Sequence, residues 1–206
     1  MKIAVFVSGG GTNLQAIIDR ITSGELTNVE IAEVIASNDS AFAIERAKIA
    51  GIPSKVISKK ILGAEAYDEA TLSELESIGA ELVVLAGFLS MLGPKTVKAY
   101  ANRIINIHPA LIPAFCGQGM YGIRPHEAVL AKGVKVSGAT VHFVNEHYDE
   151  GPIILQKAVD VLPDDTAETL QKRIMKECEQ VILPKAIQLF ADGKLEVVDN
   201  LVKFKN

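Results

Sequence analysis

Lys2-Ile3-Ala4-Val5-Phe6-Val7-Ser8-Gly9-Gly10-Gly11-Thr12-Asn13 is the stretch that decides the fold. A short apolar run meets three glycines, and the apolar residues that follow fall at helical spacing. That is the order strand, tight turn, helix, the opening of a βαβ unit. The same alternation recurs, with strands expected near 2–7, 30–37, 54–58, 82–86 and 104–107. Helices are expected between them, near 12–22, 40–50, 65–78 and 94–101. The spacing therefore predicts an α/β chain: a single domain with a Rossmann-like, open, mostly parallel twisted sheet and helices on both faces.

The second half changes character. Residues 109–125 are rich in Pro and Gly and read as a long loop, which in a compact domain is usually functional or mobile. A short helix near 126–132 and β-rich stretches at 137–145 and 152–161 follow. A long amphipathic helix is expected from Thr166 to Ala191, capped by Asp164 or Asp165 and kinked at Pro184. A last hairpin, 195–198 and 201–204, turns at Asp199-Asn200.

Composition narrows the function. The chain has 206 residues, 49% hydrophobic and 22% charged, a globular mixture with enough chain for a full core. Lys and Arg number 21 against 25 Asp and Glu, a formal charge of −4 with no basic block, so nucleic acid is not an expected partner. No apolar stretch reaches membrane-spanning length, and the amino terminus lacks a signal pattern. Cys116 and Cys178 have no metal or redox spacing, so both are read as reduced thiols of a cytoplasmic protein, with no metal.

Three segments carry chemistry. The Ser8–Asn13 turn opens a helix, where backbone N–H groups and the helix dipole bind anions. It lacks dinucleotide-fingerprint spacing and a P-loop lysine, so a single phosphate fits it, or the glycines merely allow a tight turn. The run 82–92 stays apolar past the end of its strand and either lines a pocket for a flat ring system or is core packing. Asn106 and His108, two apart at the end of a strand, point to one face. With Asp149 they form an amide, an imidazole and a carboxylate, the groups that hold an oxyanion, supply a proton and tune the donor. Taken alone, His108 could end a strand and Asp149 could be a turn residue. His142 reads as structural and His147 as solvated.

Together these segments resemble the folate-dependent phosphoribosylglycinamide formyltransferases of purine synthesis. The match covers Ser8 to Ile17, Ser37-Asn38, Val84-Leu85-Ala86-Gly87-Phe88, Asn106-Ile107-His108-Pro109-Ala110-Leu111-Ile112-Pro113, Gly138 to Val144 and Asp149-Glu150-Gly151-Pro152-Ile153-Ile154. The resemblance implies transfer of the formyl group of 10-formyltetrahydrofolate, a co-substrate, to the amine of 5-phosphoribosylglycinamide. It implies that Asn106, His108 and Asp149 are catalytic, with Asp149 keeping His108 protonated. Gly11, Thr12 and Asn13 would hold the ribonucleotide's phosphate, with Lys176, Glu177, Cys178 and Glu179 also touching that substrate. Leu89, Ser90, Met91 and Leu92 would bind the folate with Asn106, Asn145, Glu146, His147, Tyr148 and Asp149. Residues 1–100 would form the ribonucleotide half and 101–206 the catalytic and folate half of a monomer or homodimer.

The family often has an Arg where this chain has Ala64, and two histidines bracketing one residue where it has Arg124-Pro125-His126, so no role is carried to Ala64 or Arg124. A formyltetrahydrofolate hydrolase uses the same trio but carries an amino-terminal regulatory domain, whereas this chain starts on its first strand. Methionyl-tRNA formyltransferase has a further basic domain. The remaining alternative is an inactive folate- or nucleotide-binding module, which would have no reason to keep all three chemical groups.

Overall fold

In the computed structural model, which describes Met1 to Lys205, seven strands form one sheet in the order β3-β2-β1-β4-β5-β6-β7. They are β1 Lys2–Val7, β2 Glu30–Ala36, β3 Ser54–Val56, β4 Leu82–Leu85, β5 Ile104–His108, β6 Val136–Phe143 and β7 Ile153–Asp160. The pairs β1–β2, β1–β4, β2–β3 and β4–β5 are parallel, and β6–β7 is antiparallel. Ile3 to Val7 and Leu82 to Val84 are wholly buried, as continuous apolar runs require when both faces of a parallel sheet are covered. The expected fold class is the observed one.

The chain divides into two compact units, Met1–Asn106 and Ile107–Asn206. In the first, the helices are α1 Thr12–Thr22, α2 Ala43–Ile49, α3 Lys59–Leu62, α4 Ala64–Ser77 and α5 Pro94–Ala99. The strand order reverses between β1 and β4, the kind of point where open α/β sheets bind ligands beyond their carboxyl ends. That point is tied locally: Ser8 N donates to Gly87 O at 3.2 Å, and Leu89 N to Ser8 Oγ at 2.9 Å. The helix expected from residue 40 begins at Ala43, and the four-residue α3 was not expected. Its Lys59-Lys60-Ile61-Leu62 buries no residue, so it leaves no amphipathic signal to read.

The second unit holds α6 Arg124–Ala131, the β6–β7 pair, α7 Ala167–Ile174, a π turn Met175–Glu179 and α8 Gln180–Ala191. The hairpin β8 Leu195–Val198 and β9 Leu201–Phe204 closes it. Asp199 and Asn200 have φ of 51° and 60°, the two left-handed residues that a tight two-residue hairpin turn needs. Two expectations for the long helix are corrected. Its cap is Thr166, whose side chain accepts from Thr169 N in a reciprocal capping box, while Asp165 bonds Leu162 N, Thr169 and Arg173. The helix is not continuous from Thr166 to Ala191, since the 175–179 π turn interrupts it, and Pro184 lies inside α8. α6 likewise starts at Arg124, with Pro125 in its first turn, where its missing N–H costs nothing.

Candidate active site

β5 delivers the first groups. Its pattern leaves Asn106 half-buried and His108 buried, and alternation along the strand puts both side chains on one face. His108 Nε2 donates to Phe115 O at 3.0 Å, and its Nδ1 lies 3.6 Å from Asp149 Oδ2. Both neighbours are acceptors, so each favours the doubly protonated ring. Burial outweighs them: desolvation holds the His108 pKa below the usual histidine value, with Asp149 and the Phe115 carbonyl pulling it up and His142 pushing it down. The sequence expectation that Asp149 holds His108 in its charged form is thus half met. The carboxylate acts in that direction, but the net shift is downward.

Asp149 is held at φ 54°, a left-handed conformation uncommon outside glycine. Gly151 lets the chain return this closely, since a Cβ there would fall 1.8 Å from Phe143 O. The carboxylate accepts from Gly117 N at 2.8 Å and lies 3.5 Å from His142 Nε2. Burial works upward on its pKa, but His142, the charge of His108 and the Gly117 N–H together hold it below the usual range. Asp149 is therefore an anion between two imidazoles.

Sequence reasoning missed the importance of His142. Its Nδ1 donates to Phe143 O at 2.8 Å, which leaves Nε2 toward Asp149. The β6–β7 ladder shifts register between Val141 and His142, an irregularity of the kind that re-aims side chains next to active sites. Strict alternation in Ala139-Thr140-Val141-His142 hides it. His126 was also missed: it is wholly buried, neither ring nitrogen has a hydrogen-bond partner, and burial, then the charge of His108, lowers its pKa to about 4.

The root of the long loop is pinned beside His108. Thr140 Oγ1 donates to Ala110 O at 2.7 Å and accepts from Ile112 N and Gln156 Nε2. Of the residues expected at the folate, Glu146, His147 and Tyr148 are exposed, and Asn145 Oδ1 accepts from His147 N at 3.0 Å. Lys176 and Glu177 face solvent, whereas Glu179 and Cys178 are buried. Burial raises the Cys178 pKa to about 11, and at 0% exposure the thiol is a core group that no substrate reaches.

In the first unit, Gly11 precedes α1 at φ 69° and packs so tightly that a Cβ would lie 2.7 Å from that of Ala43. Thr12 and Asn13 open the helix, whose first N–H groups have no intrahelical acceptor. Leu89 is 60% exposed just past β4, Ser90 and Met91 are half-buried, and Leu92 is buried. Leu89 thus presents the most apolar surface of the four to solvent, and Leu92 is the least exposed. Among the described residues, no cluster of His, Cys, Asp and Glu could hold a metal ion, and no helix is long and apolar enough to cross a membrane.

The chain as a whole is similar to known proteins. The chain is 40% identical to a phosphoribosylglycinamide formyltransferase of Haemophilus influenzae over 97% of its own length and 92% of that protein. It is 42% identical to the trifunctional purine biosynthetic protein adenosine-3 of Gallus gallus over 96% of its length, but spans only 19% of that longer protein. The crystal structure of glycinamide ribonucleotide transformylase 1 from Symbiobacterium toebii superposes with a TM-score of 0.93 at 42% identity, covering 100% of this chain and 94% of that one. Residues 1–187 match the formyl transferase family model, and the chain belongs to that family.

Proposed function

We propose that the protein transfers the formyl group of 10-formyltetrahydrofolate to the glycinamide amine of 5-phosphoribosylglycinamide, a step of purine synthesis, in the cytoplasm. The observation that carries this reading is the buried His108 facing the Asp149 carboxylate at 3.6 Å, two residues beyond Asn106 on one strand. The relatives' names support formyl transfer to phosphoribosylglycinamide, the family resemblance supplies the folate co-substrate, and Asn106, His108 and Asp149 supply the chemistry.

The folate presents the formyl carbon and departs through its nitrogen. As the amine attacks, a C–N bond forms, the oxygen takes negative charge, and then the bond from carbon to the folate nitrogen breaks. Asn106 donates from its amide to that oxygen. His108, whose pKa burial lowers in the resting protein, takes a proton from water as the oxyanion develops beside it, because the new charge adds to that of Asp149, and returns it to water when the carbonyl re-forms. Asp149 stays ionised throughout, so the imidazolium keeps its counter-charge. The proton lost by the amine leaves with the folate nitrogen. Gly11, Thr12 and Asn13 take the phosphate, with Lys176, Glu177 and Glu179 as further contacts to the ribonucleotide. Leu89 to Leu92 and Asn145 to Asp149 take the pterin.

A single-turnover assay with 10-formyltetrahydrofolate, with and without the ribonucleotide, tests this. The formyl group should move only when ribonucleotide is present. Formate release in its absence would make the protein a hydrolase, and no turnover in either case would make it a binding module.

A further inference from the structure

The second helix of the first unit grips the glycine-rich turn through its backbone. Ala43 N donates to Gly9 O at 3.1 Å. Arg46 Nε donates to Gly10 O at 2.7 Å, and its Nη1 donates to Gln15 Oε1 at 3.0 Å. The guanidinium lies 5.2 Å from the Phe42 ring, so stacking fixes its plane as well. Gly11 is pressed on the same helix, where a Cβ would come within 2.7 Å of Ala43 Cβ and 3.2 Å of Arg46 Cδ.

In a trans peptide the C=O and N–H of one plane point in opposite directions. The Gly9 carbonyl shares its plane with the Gly10 N–H, and the Gly10 carbonyl with the Gly11 N–H. With both carbonyls held by α2, both N–H groups turn away from it. Successive N–H groups aimed one way make an anion-binding concavity.

We propose that Arg46 is a positioning residue for the ribonucleotide: by holding the Gly10 carbonyl it presets the Gly11 N–H, and with it the phosphate nest, before substrate arrives. The inference rests on the formyl-transfer reading and its placement of the phosphate at Gly11 to Asn13. Arg46 acts through the backbone, not by touching the phosphate. Its planar fork holds the carbonyl and Gln15 at once, which a lysine ammonium cannot reproduce in that geometry.

The test is steady-state kinetics of full-length Arg46→Lys and Arg46→Met against both substrates, with inorganic phosphate as competitor. Both variants should raise the ribonucleotide KM and the phosphate inhibition constant by about 10- to 100-fold, the loss expected for one charge-assisted hydrogen bond. The folate KM and kcat should stay within about 3-fold of the parent, since neither depends on the nest. Gln15→Leu, which removes the Nη1 acceptor and with it the exposed Gln15 Nε2 donation to Asp19 Oδ1 but leaves Arg46 in place, should shift the ribonucleotide KM several-fold in the same direction and guards against misfolding of the Arg46 variants. Parent-like kinetics in Arg46→Lys would show that charge alone matters and would overturn the proposal, as would equal shifts for both substrates. If the parent itself shows no ribonucleotide-dependent turnover, the formyl-transfer reading falls, and this inference with it. If the parent turns over and the variants match it, only this inference falls.

Discussion

His126 sits wholly buried with no hydrogen-bond partner at either ring nitrogen, and its pKa is lowered to about 4. The unfolded chain takes up a proton near the ordinary histidine value of about 6.5, and the folded one does not. His126 therefore holds back no stability above that value, and stability is lost as pH falls from there toward about 4. The loss is up to about 3 kcal/mol from this residue alone. His108, also lowered, acts in the same direction. We predict that His126→Leu flattens the pH dependence of Tm between about pH 7.5 and about pH 5, and an unchanged slope would show that other groups set the acid limit. None of this was legible in the sequence. A lone His on a short helix shows nothing until the fold buries it, and His142 showed nothing until a register shift turned it toward Asp149. Asn106, His108 and Asp149 could be proposed from the sequence because their residue types suit the chemistry and the family resemblance assigned them roles.

At the scale of elements, the long loop after β5 is unevenly held. Its root is fixed by Thr140 and Gln156, while 117–123 rests on local turns such as Met120 N to Gly117 O, together with Arg124 on Gly119 O and over the Tyr121 ring. Phe115 O also occupies His108 Nε2, and Gly117 N occupies Asp149. In the proposed mechanism His108 Nε2 leaves Phe115 O to meet a formyl oxygen, so we predict that the loop moves when substrate binds. Limited proteolysis of the free protein should cut first within 117–123, and the two substrates together should slow that cut. The same rate with and without substrates would contradict a moving loop. Gly and Pro content marked this segment as a loop, and periodicity found the strands and most helices. The π turn at 175–179 left no such mark, because its residues continue the helical pattern and only the backbone widens.

For the molecule as a whole, alternating runs were enough to fix the fold class, because parallel neighbouring strands need crossover segments that cover the sheet. They did not fix how protons are held in the site. Burial and a carboxylate work against each other on His108, and only the folded structure shows that burial wins in the resting protein. The central claim is that Asp149 nevertheless raises the proton affinity of His108 for formyl transfer. Its most direct test is the pH profile of kcat/KM for Asp149→Asn, which keeps the side chain's shape and removes its charge. If the protonated ring is the active species, activity falls as pH rises through the His108 pKa. Losing the carboxylate removes an upward pull, so the descending limb should move to lower pH while the maximum drops. The rising limb set by the substrate amine should remain in place. A descending limb that stays at the parent's position would contradict the account, leaving Asp149 only to shape the loop around it.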